Sequence, residues 1–560
     1  MMDRAAVLEA LQSEFDVLVV GGGITGVGAA RDAAYRGLKV ALIEMHDLAY
    51  GTSSRSSKLV HGGLRYLENF EFGLVFEAVS ERQTLMDIAP HLVHPLGFIF
   101  PIRKDSRRSA FTINLGMWVY DALALFRSPK IHKNLNPKQV KVEEPALDAD
   151  NLKGAPLYYD CSTDDARLTI ETALDAVHHG ATVATYMKAV GFLKDESGKL
   201  SGVTAEDRVS GEQVEIRAKS IINCTGPWSD DTRSLGKEKK AQRLRPTKGV
   251  HIVVDAKKLK INNAVVCFHP EDGRVLFAIP WGERTYIGTT DTDYTESLED
   301  LAATKDDVVY LLKAANAYFP KNPLVEDDVI STWAGVRPLV SDESEGDGDQ
   351  SESSVSREHS IRVDANGLVT IAGGKLTTYR RMAKEVVEHS VAQMRKSGIS
   401  LDLNGGKDTG IEPLIGAVGW PAEAKDADDM VHKLMTDAQQ KMTLPTAQLL
   451  LKTYGMRAFD IAKLCAEDPE LAKPLLPESD RAEIFAQVQF SVDQEMAMAL
   501  EDVMIRRTQL FFKDLNQGLD CVDEVAERMG VMLNWDEAEK ASQIDRYLVE
   551  VQRSRRWRDA

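Results

Sequence analysis

The apolar positions near the start of the chain fall in short dense runs. Phe15 to Val20 is one, broken only by Asp16, and it predicts a buried strand. It enters Gly21-Gly22-Gly23-Ile24-Thr25-Gly26. The small-residue stretch Val27 to Tyr35 then predicts a helix ended by Gly37, and Leu38 to Ile43 a second strand closed by Glu44. Two similar runs lie far downstream. One is Ser220 to Asn223, followed by Cys224-Thr225-Gly226-Pro227-Trp228; the other is Gly367 to Ile371, followed by Ala372-Gly373-Gly374 and a helix start. Between them, Val250–Val254, Arg274–Ile279 and Thr285–Thr290 suit an antiparallel sheet. From about residue 396 the apolar period becomes helical, in Ala447–Tyr454 and Met496–Phe512, with Gly405-Gly406 and Pro413 as linker punctuation. The predicted class is α/β + α. A Rossmann-like domain is built from 1–95, 155–240 and 345–395. An antiparallel-sheet substrate-binding cap comes from 96–154 and 241–344, and an all-helical C-terminal domain from 396–560.

Composition narrows the class. A chain of 560 residues, 43% hydrophobic, exceeds one ordinary domain. A net charge of −18 argues against nucleic acid as a partner. Cys161, Cys224, Cys267, Cys465 and Cys521 are scattered, with no C-x-x-C pair. They fit free thiols in a reducing compartment rather than a disulfide frame or a zinc site. His91, His94, His178 and His179 show no ligand spacing, so no metal is expected. The N-terminus lacks a cationic start with an apolar core, and no run reaches the ~20 apolar residues of a spanning helix. A cytoplasmic location is expected.

The chemistry starts at the first glycine loop. Gly21 permits the tight turn, Gly23 admits a pyrophosphate, and Gly26 lets helix and strand approach. Free amides at the helix start stabilise phosphate charge, and Glu44 suits ribose hydroxyls. The late return to the nucleotide fold, ending in Gly226 and Gly374, favours FAD over NAD. It sets a helix start against the flavin, where the dipole stabilises negative charge on the reduced ring. Thr52 to Glu68 follows the fingerprint closely, and its hydroxyls and glycines suit a cofactor while its His61 and Arg65 suit an anionic substrate.

Six segments stand in a familiar order: Gly-Gly-Gly-Ile-Thr-Gly (21–26), Thr52 to Leu67, Cys224 to Trp228, Gly-Thr-Thr-Asp-Thr-Asp (288–293), Ala-Gly-Val-Arg-Pro-Leu (334–339) and Gly-Gly-Lys-Leu-Thr-Thr-Tyr-Arg (373–380). Over roughly residues 15–390 the chain resembles the FAD-dependent glycerol-3-phosphate dehydrogenases, of the bacterial respiratory type since no EF-hand loop is present. Glu501 to Thr508 is a weaker echo in the tail. The resemblance implies sn-glycerol 3-phosphate as substrate, dihydroxyacetone phosphate as product and a membrane quinone as acceptor. An oxidase passing electrons to oxygen with release of hydrogen peroxide is the alternative.

A phosphomonoester carrying a secondary alcohol needs a phosphate clamp, a base and alignment of its C–H bond with flavin N5. Arg337, in an apolar frame before Pro338, is the first candidate clamp. Arg65, Tyr66, Arg357 and Lys375 are further candidate substrate contacts. His61 and His251 compete as base, and His61 alternatively orients the flavin ring. Gly21, Gly23, Gly26, Glu44, Thr52, Ser53, Ser54, Ser57, Lys58, Gly226, Gly374, Leu376 and Thr377 are the expected cofactor contacts. The acidic run 341–356 is expected to be a solvated loop.

Charge reverses locally between Pro101 and Lys133. Arg103, Lys104, Arg107 and Arg108 precede the apolar stretch Ser109 to Phe126; Arg127, Lys130 and Lys133 follow it. Such a segment suits a helix lying on an anionic bilayer, at the cytoplasmic face of the inner membrane, with a buried core helix as the alternative. A homodimer is expected.

Overall fold

The computed structural model describes residues 4–64, 70–104, 110–125, 128–235, 244–340, 359–403, 406–422 and 424–559. Two sheets organise them. The first runs His359–Val363, Val369–Gly373, Gln213–Asn223, Phe15–Val20, Val40–Ile43, Thr182–Ala184. All its pairings from Val369–Gly373 to Thr182–Ala184 are parallel. Parallel strands need cover on both faces. Val17 and Val19 meet a helical layer formed by Ile24–Tyr35, Asp165–His178 and Tyr379–Lys396. Leu18 and Val20 point the other way, into a core with Met187, Val203, Ala205 and Ile216 from the antiparallel strands Met187–Lys194, Leu200–Asp207 and Gln213–Asn223. The two-residue period of one strand thus seeds two cores.

The helix begins at Ile24, and the second strand at Val40 rather than Leu38. The reason is the helix stop. Gly37, at φ 81°, lets its own amide bond to Ala34 O at 2.9 Å and the Leu38 amide to Ala33 O at 3.1 Å, so Leu38 finishes the helix.

The second sheet runs Thr292–Asp293, Leu244–Asp255, Arg284–Gly288, Val275–Trp281, Ala264–Phe268, His94–Ile99, Leu152–Ser162, Leu59–Val60. Val329–Val340 pairs along Leu244–Asp255. It is antiparallel except where His94–Ile99 meets Ala264–Phe268. Leu59–Val60 and the whole of Leu152–Ser162 belong to this sheet, so it crosses the sequence boundaries at 95 and 155.

The C-terminal region is helical, with one departure from the sequence pattern. Met496–Phe512 is not a continuous α-helix. It holds a π-turn at Asp502–Arg507, breaks at Gln509 (φ 59°), and resumes as Leu510–Lys513. Neighbouring α-helical side chains diverge by about 100°. The widened turn instead lets Arg506 and Arg507 reach the same buried carboxylate, Asp47, at 2.5 and 2.8 Å. Arg167 and Arg457 similarly share Glu495, at 2.7 and 2.8 Å. Buried ion pairs therefore fasten the helical region to the nucleotide-binding unit.

Helix Ala110–Leu123 has two apolar faces. Met117, Tyr120 and Ala124 are buried, while Phe111, Leu115, Trp118 and Leu125 are all more than half exposed. Its polar pair, Asn114 and Asp121, is held by one side chain: His132 Nδ1 lies 2.7 Å from Asp121 Oδ2, and Nε2 3.3 Å from Asn114 Oδ1. The adjoining helix Phe72–Ile88 exposes Phe72 and Phe76, with Phe70 just before it. Arg107, Arg108 and Arg127 lie outside the described residues, as does the run 341–356.

Candidate active site

A cavity of about 460 Å³ follows the carboxyl ends of the parallel strands, from Glu44 and Lys188 past Gly21, Gly23 and Gly226 to Gly374. This is where open parallel sheets place nucleotide ligands. The backbone is built for close approach. A Cβ on Gly26 would stand 1.9 Å from Gly21 O, and one on Gly21 2.6 Å from Cys224 O. Ser53 Oγ accepts from the Ile24 amide at the helix start, 2.9 Å away. Glu44 is half-buried, and its desolvation raises its pKa; its oxygens accept from the Gly22 amide at 2.6 Å and the His46 amide at 2.9 Å. The glycine approach, the helix start and the length of the cleft fit a flavin adenine dinucleotide.

The sequence-predicted contacts divide. Gly21, Gly23, Glu44, Thr52, Ser53, Gly226, Gly374 and Leu376 line this cavity. Gly26 acts behind it, by keeping helix and turn close. Ser54 is buried away from it. Lys58 is not brought to it either: Nζ lies 2.6 Å from Asp165 Oδ1 and 3.1 Å from Ser54 O, over the rings of Trp281, Trp333 and Phe512. A buried carboxylate needs a charge partner, and Lys58 supplies it to Asp165. Ser57 and Thr377 face a second cavity instead.

That second cavity, about 300 Å³, shares Thr52, Ser56, Gly373, Gly374, Lys375 and Leu376 with the first. One end is polar. There Arg337 Nη1 lies 2.8 Å from Asp291 Oδ1, and Nη2 3.2 Å from Thr289 Oγ1. His251 is buried and stacks on Trp333 with ring centroids 4.6 Å apart, and its Nε2 lies 2.9 Å from Ser57 Oγ. Burial first, then Arg337 and Lys58, hold its pKa well below that of ordinary histidine, so the ring is neutral. Its Nδ1 is buried without a hydrogen bond among the described residues. His61 also lines the cavity; its amide donates to Thr377 Oγ1, and that hydroxyl donates back to His61 O. The other end is apolar, walled by Phe100, Tyr158, Val266, Phe268 and Phe277.

The structure thus brings together His61, His251, Arg337 and Lys375. Arg65, Tyr66 and Arg357 lie outside the described residues. Sequence reasoning missed three participants: Ser57 as partner of His251, Asp291 as partner of Arg337, and Arg274, whose guanidinium bonds to Asp291 O at the cavity wall. Asp291 stood within Gly-Thr-Thr-Asp-Thr-Asp, but nothing in the spacing links it to Arg337. Among the described residues, no group of three or more His, Cys, Asp or Glu side chains could hold a metal ion.

Comparisons with known proteins agree with this architecture. The family "FAD dependent oxidoreductase" matches residues 16–380, and "C-terminal domain of alpha-glycerophosphate oxidase" matches 408–540. An aerobic glycerol-3-phosphate dehydrogenase of Staphylococcus haemolyticus is 37% identical over 96% of this chain and 95% of its own. One of Staphylococcus aureus is also 37% identical, over 97% and 94%. The crystal structure of the glycerol-3-phosphate dehydrogenase from Bacillus halodurans, complexed with FAD, superposes with a TM-score of 0.80. It is 33% identical and covers 98% of this chain and 97% of its own. L-alpha-glycerophosphate oxidase from Mycoplasma pneumoniae, 19% identical with a TM-score of 0.53 over 70% of this chain and 98% of its own, shares the fold.

Proposed function

We propose, from the premise that this chain belongs to the FAD-dependent glycerol-3-phosphate dehydrogenases and has FAD as its cofactor, that it oxidises sn-glycerol 3-phosphate to dihydroxyacetone phosphate. FAD supplies, at N5 of its ring, the acceptor for the hydride leaving the secondary carbon. The residues of the chain do the rest. Arg337 exchanges Asp291 for the substrate phosphate, and Lys375 adds a second positive charge at the wall shared by the two cavities. His251, kept neutral, accepts the hydroxyl proton as the hydride departs; Ser57 orients its ring. His61 remains the second candidate for that proton. The observation that carries this reading is a neutral buried imidazole and an arginine facing one cavity that opens onto the cofactor cleft.

The acceptor belongs to the same proposal. The apolar end of the second cavity suits a quinone ring, and it shares a core with the inner face of helix Ala110–Leu123. The outer face of that helix, with Phe111 and Trp118, suits the surface of an anionic bilayer on the cytoplasmic side. No helix among the described residues is long and apolar enough to cross a membrane. The matching glycerophosphate oxidase domain at 408–540 favours a second reading, with oxygen as acceptor and hydrogen peroxide as product. A homodimer completes the proposal and is read by sedimentation. The deciding experiment adds sn-glycerol 3-phosphate to the flavoprotein without oxygen: failure of the visible flavin band to bleach overturns the substrate. Admitting a quinone or oxygen in turn then separates the two acceptors by rate of reoxidation.

A further inference from the structure

A third cavity, about 50 Å³, lies where the three parts of the molecule meet: the loop after the first glycine turn, the strand Val329–Val340, and the C-terminal helices. Tyr50 and Arg55 come from the loop, Glu501 from the segment before the π-turn, and Arg553 from helix Glu537–Arg555. At about 10–15 Å³ per water it has room for a few waters or one small oxyanion.

Three of these polar groups make no hydrogen bond among the described residues. Among the described residues, the Arg55 guanidinium makes no hydrogen bond or ion pair and only lies over the Tyr50 ring, 5.4 Å from its centre. The Tyr50 hydroxyl makes no hydrogen bond there, and Glu501 Oε2 is buried without one. The other charges are spent. Arg506 is held by Asp47 and Asp502, and Arg553 by Glu550. Burial and Asp502 raise the Glu501 carboxyl to about 7, against the opposing pull of Arg506 and Arg546 and with Glu550 adding to the rise. Below that pH the cavity therefore presents three donors (guanidinium, phenol and carboxylic acid) and one uncompensated positive charge. Arg55 and Tyr50 are half-buried and Glu501 Oε2 is buried without a hydrogen bond, so a ligand that accepts from all three would satisfy donors that the protein itself leaves open.

We propose that this junction is a binding site for a small oxyanion, such as inorganic phosphate, held by Arg55, Tyr50 and Glu501. The site is separate from the Arg337 cavity but coupled to it. Arg55 lines both, and a Cβ on Gly335 would stand 2.5 Å from Arg55 O, so the loop bears directly on the strand that carries Arg337. Occupation restrains the segment that also carries Ser57.

The test titrates inorganic phosphate calorimetrically into the FAD-loaded full chain carrying Arg337→Ala, which weakens phosphate binding in the larger cavity. One phosphate per chain is expected at pH 6. Adding Arg55→Met should raise its Kd at least tenfold. With sulfate as the probe, whose charge is constant over this range, raising the pH to 8 should weaken binding, because Glu501 then carries a negative charge, and Glu501→Gln should remove that pH dependence. No phosphate binding to the Arg337→Ala protein, or binding that survives Arg55→Met unchanged, overturns the proposal. If Arg55→Met loses its FAD, Tyr50→Phe carries the test: a severalfold rise in Kd is expected, and an unchanged Kd overturns it.

Discussion

Ser57 Oγ stands 2.9 Å from Nε2 of His251, a ring sandwiched against Trp333 and kept neutral by burial beside Arg337 and Lys58. The two residues are 194 apart in the chain. Their meeting sets the geometry of the proposed proton acceptor. His251→Ala should slow flavin reduction by about 10²–10⁴-fold, and Ser57→Ala by the roughly two- to twelvefold that one hydrogen bond contributes, both in single-turnover kinetics. Because the His251 pKa is lowered, the wild-type rate should show no acid limb near pH 6.5 belonging to this ring. A limb between pH 6 and 7 that vanishes in His251→Ala would contradict the neutral-ring assignment.

Arg337 is predicted to clamp the substrate phosphate. Loss of a charged hydrogen bond of about 1.5–3 kcal/mol should raise KM by roughly ten- to a hundredfold in Arg337→Ala. Asp291→Asn keeps an oxygen beside the guanidinium while removing the competing charge, so KM should fall. An unchanged KM in Arg337→Ala assigns the phosphate to other cations.

Asp47 is buried beneath Arg506 and Arg507. Removing one member of such a cluster strands the others without compensation. Asp47→Ala should cost about 3–5 kcal/mol, read as a lower midpoint in urea. A shift of under 1 kcal/mol would mean that the cluster does not fasten the helical region.

Glu501 allows a test with a definite sign. Its folded pKa is raised to about 7 from 4.5. Its contribution is therefore fully present below pH 4.5 and lost as pH rises towards and through 7. Relative to wild type, Glu501→Gln should gain stability between pH 4.5 and 8. Parallel urea curves at the two pH values check it, and a constant difference refutes it.

The exposed face of helix Ala110–Leu123 predicts lipid binding. Burying one large apolar side chain contributes about 1.5–3 kcal/mol, so Phe111→Ser and Trp118→Ser should each weaken partition into anionic vesicles roughly tenfold or more. Turnover with a water-soluble acceptor should persist. Equal co-sedimentation of wild type and double variant removes this face from the membrane reading.

Much of the site was legible because its signals are local. The glycine loop, the helix start and the Glu44 position follow from a strand, a turn and a helix that are consecutive in sequence, with φ and close approach dictating glycine. Helical period in the tail was legible where packing is ordinary, as in Leu444–Tyr454. It failed at Met496–Phe512, where two adjacent arginines reach back some 460 residues to Asp47 and the helix widens to let them.

The sequence by itself determined the nucleotide-binding turn, the return strands that complete it and the presence of His61, His251, Arg337 and Lys375 as chemistry-bearing residues. Only the tertiary structure decided what those charges do. Lys58 looked like a cofactor contact until Asp165 claimed it, Arg337 gained Asp291, and Asn114 and Asp121 were both taken by His132. Local propensity depends on a few neighbouring dihedrals and is written along the chain. The fate of a charge in a low-dielectric interior depends on which opposite charge the fold brings within about 3 Å, and that partner has no fixed distance in sequence.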